Sequence, residues 1–544
     1  MGATLRALRA LVLLLGFYLL SLVLLVALVG LDVLVFSWGH GPLTLKVGIV
    51  TVLLGIPVVR GMLMLRTPKG EDPHGIAVTD ADEPRLWAVV RELATAAGTR
   101  APHRILLTGE VNASVSENPR LLGLFPGRRR LTLGVPLLIG LTEAQLRSVL
   151  AHEFGHFTGG DTRLSALVVR GRVQIGRVVG RFHAAADEKV AADRARQERK
   201  SAKRIAKGGK AKPVDTTGVG VTYRTMARIY TAYGKLYLRA SQSTARGQEY
   251  AADLAAARIA GRDATASALR EIPVLSVSHD FYVDSYATLG LQARLLPPRG
   301  EFFGGFGRLL TARDAEFADL RSELPEETAG PYDSHPPIAD RVRRIEALPA
   351  DGRTDEAGGT ALALLSDPAR TLAALEDSVL LDELLAYPRA AGWQELLDAS
   401  MAANLSSART PLHTAVAEYT GKPATLSTLL DVIDDGRLWR LAERLPLTEE
   451  AAAAKGRAFR EFVRPGLHRS LRTMVLAEFS SRSLLHWEFS WARPATVRLP
   501  GWGSETEDDG PETALEAAVE AAVADHPDTE RLRALLPPAT IQNA

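Results

Sequence analysis

The chain has no cysteine among its 544 residues. Disulfides, haem-thiolate and iron-sulfur ligation and zinc fingers are thereby excluded, and any metal site has to be built from His and carboxylate side chains. An excess of charge of one sign is also missing. The 65 Lys and Arg face 63 Asp and Glu, a net charge of +2, so only local basic stripes remain as a reason to expect a polyanionic partner. Histidine is scarce, at 12, which gives weight to any pair of them at ligand spacing. What is abundant is apolar side chain: 46% hydrophobic against 24% charged. Over this length that is enough for two or three domains with a sizeable core, and it excludes disorder throughout.

Leu11 to Leu31 holds no charged residue and is dominated by Leu and Val. At about 1.5 Å per residue it is one bilayer core thick and reads as a membrane span. A cleaved leader is the alternative, but it would have a shorter apolar core and a small-residue cleavage site, which Val26-Ala27-Leu28 does not supply. Leu43 to Leu65 reads as a second span, with Lys46 and Arg60 near its ends, where long side chains reach the interface. Arg6 and Arg9 precede the first span, Arg60, Arg66 and Lys69 close the second, and the connecting Ser37 to Pro42 has no Lys or Arg. Residues 1–70 are therefore expected to be a transmembrane hairpin in a bacterial-type plasma membrane, with both ends cytoplasmic.

After a linker, Thr67 to Pro73, an amphipathic helix is expected from about Asp82 to Ala97, with Leu86, Val89, Val90 and Leu93 on one face. Strands are expected over Arg104 to Leu107 and Leu131 to Leu138, separated by the turn-rich Glu117-Asn118-Pro119 and Pro126-Gly127. Thr142 with Gln145 three residues on has the form of a capping box, so a helix should start there, and Gly159-Gly160 should stop it. On that helix lie His152-Glu153-Phe154-Gly155-His156. The i, i+4 spacing sets the two imidazoles one turn apart on one face, within reach of a single Zn²⁺. Glu153, one residue along, lies beside such an ion rather than on it, suited to take a proton from a bound water and return it to a leaving amine. The bland alternative is two histidines packed on a helix.

A hydrolytic zinc site needs a third protein ligand and an open position. The Ala-rich, strongly helical Gln248 to Ala257 puts Glu249 and Asp253 on one face. Glu249 is the candidate third ligand, and Asp253 one turn on is suited to hydrogen-bond a ligating imidazole. By itself such a pair is usually a solvated face.

Taken together, His152 to His156, Glu249 to Asp253 and the later Ser334-His335-Pro336-Pro337 with Arg341 resemble the membrane-anchored gluzincin family that contains HtpX and the CAAX prenyl protease, over residues 1–350. The resemblance implies a zinc endopeptidase acting on membrane or misfolded proteins, with one zinc held by two His and one Glu. It implies a substrate-binding strand at Asn112-Ala113, of which Asn112-Ala113-Ser114-Val115 matches the first half of the family pattern. It also implies an oxyanion-assisting role for His335. Arg341 would orient His335 or Glu249, or pair with an acid elsewhere. His279-Asp280 lacks ligand spacing and reads as a surface or capping pair.

Family members have further spans between the His pair and the Glu, whereas here Arg163, Arg170, Arg177 and Arg181 fall within a narrow helical angle, and Arg224, Arg228, Lys235 and Arg239 form a second stripe. Neither is a plausible span. Two readings stand level: basic amphipathic helices on anionic lipid, or a soluble helical hairpin. Asp187 to Asp215 between them reads as a mobile, partly helical loop. Nucleic acid is not an expected partner.

Beyond about Ala350, helices are expected over Ala361 to Leu385, Trp393 to Ala403, Thr414 to Tyr419 and Glu512 to Ala524. Trp393, Trp439, Trp487 and Trp491 read as packing residues, and the acidic run 505–509 as a solvated loop. The expected fold is mainly α with a small β-sheet. Its parts are the hairpin anchor (1–70), a zincin-type metallopeptidase domain (71–350) with a basic insertion at about 163–240, and a mostly helical C-terminal domain (351–544). The leading functional expectation is a membrane-anchored zinc metalloendopeptidase with a protein or peptide substrate. The competing one is an inactive membrane-anchored scaffold, against which the intact Glu153 argues, because a purely structural site has no use for it.

Overall fold

A computed structural model describes residues 3–38, 41–63, 73–120, 125–157, 162–210, 213–322, 324, 336–353, 359–498 and 511–535. Among the described residues the chain is mainly helical with two small sheets. It divides into one unit of Met1–Leu275 with Ala318–Pro368 and another of Ser276–Phe317 with Ala369–Ala544.

The first unit begins with α1 (Ala3–Trp38) and α2 (Pro42–Leu63), joined side by side by a hydrogen bond that Thr51 donates to Asp32 at 3.0 Å. Leu15–Trp38 is long and apolar enough to cross a bilayer. The expected second span is not matched among the described residues: the apolar stretch of α2 is Thr44–Ile56, about 20 Å at a helical rise and short of a bilayer core. Leu54 and Val58 of α2 are buried in a cluster with α1, α6 and α7, while Leu45, Ile49 and Val52 are exposed.

Next come β1 (Ile76–Val78), α3 (Pro84–Ala96), β2 (Arg104–Thr108), β3 (Ala113–Arg120) and β4 (Phe125–Gly134). The sheet order is β1-β2-β4-β3, with β2 and β4 parallel and the other pairs antiparallel, so β3 is an edge strand. Leu86, Val90 and Leu93 of α3, Ile105 and Leu107 of β2 and Leu131 and Leu133 of β4 are all buried. Two expectations are corrected. Glu117-Asn118-Pro119 is not a turn but part of β3, where the register shifts between Asn118 and Arg120; proline lacks an N–H to donate and is tolerated on an edge strand at such an irregularity. The strand expected to reach Leu138 stops at Gly134, because Pro136 lies in the first turn of α4 (Val135–Gly140), where its missing N–H costs nothing.

Then follow α5 (Glu143–Gly155), α6 (Thr162–Ile205), α7 (Val221–Ala260), α8 (Arg262–Tyr282), α9 (Glu301–Ala312), α10 (Asp314–Ser322) and α11 (Ile338–Glu346). α6 and α7 form an antiparallel hairpin packed on α1 and α2. Phe182 stacks on Tyr230 with ring centroids 5.6 Å apart, Phe17 of α1 lies 5.6 Å from the same ring, and all three are buried. Tyr230 donates to Ser21 at 3.0 Å, and Tyr18 donates to Gln174 at 3.0 Å. The loop expected over Asp187 to Asp215 is helical as far as Ile205. Its Ala, Arg, Lys and Glu content favours a helix over a loop, and Gln197 ties the returning chain to it by accepting from the Asp215 N–H at 2.9 Å.

In the second unit, the helices Pro411–Thr420, Leu426–Asp434 and Arg457–Ser481 close a core that includes Leu412, Leu429, Leu430, Leu467 and Leu471. A short hairpin pairs His486–Glu488 with Thr496–Arg498. Trp393 and Trp491 pack edge to face at 4.9 Å, and Trp439 is faced by the guanidinium groups of Arg460 and Arg464. His279 is not on the surface: it is buried edge-on against Phe306 at 5.2 Å, and burial lowers its pKa from the usual imidazole value. The acidic run 505–509 lies outside the described residues.

Candidate metal centre

The site starts from how α5 is held. Thr142 accepts from the Gln145 N–H at 3.2 Å while the Gln145 side chain accepts from the Thr142 N–H at 2.9 Å, the reciprocal cap that the spacing implies. Leu146, Leu150 and Phe154 bury the inner face of the helix. Described helix ends at Gly155 with His156 as its cap, and the expected Gly159-Gly160 stop lies outside the described residues.

Gly155 sets the depth of the crossing with α7. A Cβ there would lie 3.1 Å from Ala252 Cα and 3.2 Å from Ala255 Cβ, so glycine on one helix and alanines on the other let the backbones approach. The approach brings Glu249 and Asp253, which flank Ala252, up to the histidines. Gly155→Val is expected to destabilise the first unit by about 1–3 kcal/mol through overpacking, read as a lower denaturant midpoint with an unchanged slope.

His152 and His156 approach each other through Nε2 at 3.2 Å, their rings perpendicular. Glu249 spans both: Oε2 is 3.7 Å from His152 Nε2, and Oε1 is 3.7 Å from His156 Nε2. One ligand atom from each of the three lies within 4.8 Å of the others. Two imidazole nitrogens and a carboxylate oxygen facing one point are a fitting donor set for a borderline cation such as Zn²⁺. Burial, together with the neighbouring His152, pushes the His156 pKa down to about 4, which keeps that imidazole neutral and its lone pair available near pH 7.

Behind the imidazole, His152 Nδ1 lies 2.9 Å from Asp253 Oδ1. Arg341 of α11 donates to both Asp253 oxygens, through Nη2 at 2.6 Å and Nε at 2.9 Å, and its Nη1 is 3.7 Å from Glu249 Oε2. Burial would raise the Asp253 carboxyl, but the hydrogen bonds from Arg341 and His152 outweigh it and carry the pKa down to about 2. An ionised Asp253 fixes the proton of His152 on Nδ1 and so turns Nε2, as an acceptor, toward Glu249 and His156. Of the alternatives open to it, Arg341 pairs with an acid, Asp253, and also lies beside Glu249, while His335 is outside the described residues. Sequence spacing could not find the pairing with Asp253, because 88 residues separate the two.

Glu153 is held apart from the other three. The backbone N–H of Val115 on β3 donates to its carboxylate, and burial pushes its pKa above the ordinary value against the pull of His152. The edge strand therefore runs past this carboxylate. Ala113 opens that strand opposite Leu133, and the Asn112 carbonyl accepts from the Gly134 N–H at 2.7 Å. Gly134 is required there, since a Cβ would lie 1.7 Å from the Glu110 carbonyl oxygen. Sequence reasoning did not single out the Val115 amide, as edge position follows from strand order alone. His335 lies outside the described residues.

Two histidines one helical turn apart, a glutamate from a crossing helix and a further carboxylate beside an edge strand make up the equipment of a metal-dependent hydrolase. The comparisons agree with that class: residues 80–348 match the model of peptidase family M48, and this region resembles the HtpX-like members of that family. It is 30% identical over 128 residues to a protease HtpX homolog of Janthinobacterium sp. (strain Marseille), an alignment covering 22% of this chain and 42% of that relative. The chain thus spans less than half the length of the relative it matches. No solved structure matches the chain.

Proposed function

We propose that the chain is a membrane-anchored, zinc-dependent endopeptidase with a zincin-type domain and a cytoplasmic active site, cleaving membrane or misfolded proteins. The convergence of His152, His156 and Glu249 on one point, with Glu153 beside it, carries this reading. These three side chains would hold the ion, which when bound supplies a Lewis acid that acidifies water and polarises the scissile carbonyl. Glu153, its affinity for a proton raised by burial, accepts the proton of the attacking water and returns it to the leaving amine nitrogen. Asp253 and Arg341 act through His152, holding its tautomer and ring plane. The edge of β3, starting at Asn112 and Ala113, offers backbone groups to an extended substrate as an added strand. His335 is assigned to the developing oxyanion on the family resemblance. Leu15–Trp38 supplies the anchor. Residues 351–544 form a further, mainly helical part with no role assigned in the chemistry.

The test is elemental analysis of the detergent-purified chain beside cleavage of an unfolded protein such as casein. About one zinc per chain and cleavage abolished by a chelator and restored by zinc are expected. A zinc-loaded, folded chain that cleaves no unfolded protein sinks the endopeptidase reading. Asp253→Asn is expected to weaken zinc binding about 10- to 100-fold, measured by competition with a chromophoric chelator.

A further inference from the structure

Arg129 of β4 ties together four stretches of chain beside the metal centre. It is buried, with 8% of its surface exposed. Its Nε donates to Glu117 Oε2 on β3 at 2.8 Å, and its Nη1 donates to Thr99 Oγ1 at 2.6 Å and to the Arg100 carbonyl at 2.9 Å, both in the connection from α3 to β2. The guanidinium also lies 4.4 Å from the ring centroid of Phe157, the residue after His156. On the other side of the pair, Glu117 Oε1 accepts from the Gly127 N–H at 2.7 Å and from Arg100 Nη2 at 3.2 Å. Burial would raise the Glu117 carboxyl, but these hydrogen bonds, led by that from Arg129, hold it below its ordinary value. Removing either partner leaves the charge of the other largely buried, so the pair acts as one unit.

The place of this pair in the ladder gives it a meaning for substrate. The register of β3 on β4 is regular from Ala113 to Asn118, and along an antiparallel strand the backbone groups of alternate residues point to the same side. Val115 sends its N–H to Glu153. Arg129 spends its backbone on His103, its N–H donating to Nδ1 at 3.2 Å and its carbonyl accepting from the His103 N–H at 2.9 Å. Glu117, opposite Arg129, therefore turns its own N–H and carbonyl away from β4, as Val115 does, about 7 Å further along the edge. An extended peptide lying along β3 would meet the Ala113 backbone on one side of Glu153 and the Glu117 backbone on the other. Among the described residues no strand covers the outer side of β3, and the register shifts just past Asn118. The clamp on Glu117 thus stands where the ladder ceases to hold the edge.

We propose that Arg129 is a positioning residue for substrate: by holding the Glu117 side chain it fixes the Glu117 backbone as a main-chain docking point for the part of an extended peptide that runs past Glu153 away from Ala113. This rests on the peptidase reading, and the test tells their failures apart. A clamp needed only for stability would act on all substrates alike, whereas one that sets a docking point acts only on peptides long enough to reach it. Full-length parent, R129Q, E117Q and R129K chains are therefore compared on fluorogenic peptides of one casein sequence, lengthened one residue at a time on either side of the scissile bond. Zinc is measured on each preparation. The same series bound to chains that also carry Glu153→Gln, followed by fluorescence anisotropy, reads the effect of length without turnover.

In the parent, lengthening on one side is expected to lower KM and Kd about three- to tenfold once the peptide reaches Glu117. In R129Q that gain is expected to disappear, in KM and not in kcat, whatever the activity on the shortest peptide. E117Q keeps an oxygen to accept from the Gly127 N–H and should lose the gain as well, and the double variant should lose no more than either single one. R129K, which keeps a cation facing Glu117, is expected to recover part of it. A gain from length that survives in R129Q and E117Q overturns the proposal, as does a parent with no gain on either side. Loss of zinc from R129Q also overturns it and assigns the guanidinium to His156 through Phe157. A zinc-loaded parent that cleaves none of the peptides sinks the peptidase reading itself, whereas one that cleaves them with the gain untouched by the substitutions sinks the role of Arg129 alone.

Discussion

Glu153→Gln is expected to lower peptide cleavage by about 10²- to 10⁴-fold while leaving zinc content unchanged. The substitution keeps the length of the side chain and an oxygen that can accept from the Val115 N–H, so the edge strand keeps its contact with α5. What it removes is the ability to take a proton. Since Glu153 is not among the three groups whose donor atoms converge, metal occupancy should not follow the loss of rate. The paired measurement is single-turnover cleavage of a fluorogenic peptide and zinc by elemental analysis on the same preparation. Parent-like turnover in the variant removes Glu153 from the chemistry, and loss of zinc would make it a ligand instead of a base.

Glu249→Ala is the complementary case and should abolish both properties. Two imidazoles alone leave a zinc ion without the carboxylate that offsets its charge, so occupancy is expected to fall from about one per chain to near zero at micromolar free zinc. Activity should fall with it. A readout that does not depend on cleavage is thermal unfolding: an ion that binds only the folded chain at 100 times its Kd adds about 2.7 kcal/mol, and this zinc-dependent rise in Tm should disappear in the variant. A variant that keeps both its zinc and its Tm shift would move the third ligand elsewhere.

Much of this centre was legible in the sequence because a helix converts spacing into direction. His152 and His156, and likewise Glu249 and Asp253, are four apart and must share a face once α5 and α7 form. The Thr142 cap, read from three residues, fixes where α5 begins. Legibility ends where the relation is between distant segments. That β3 is the edge strand follows from the order β1-β2-β4-β3, which local pattern does not encode, and Asn118-Pro119 therefore looked like a turn when it is an irregular edge. The partner of Arg341 depends on how α11 docks on α7. The second apolar helix shows a different limit: composition reports that its side chains avoid water, not that Leu54 and Val58 join a buried cluster while Leu45, Ile49 and Val52 are exposed.

The chain of contacts from His152 through Asp253 to Arg341 also has a meaning in time. A ribosome adds about 5 to 20 residues per second, and Arg341 follows Asp253 by 88 positions, so roughly 4 to 18 seconds pass between them. Throughout that interval the nascent chain carries both histidines, Glu153 and Glu249, yet Asp253 lacks the guanidinium that keeps it ionised and aimed at His152. The hold on His152 is therefore completed late, only once α11 has emerged and its Arg341 has docked on Asp253.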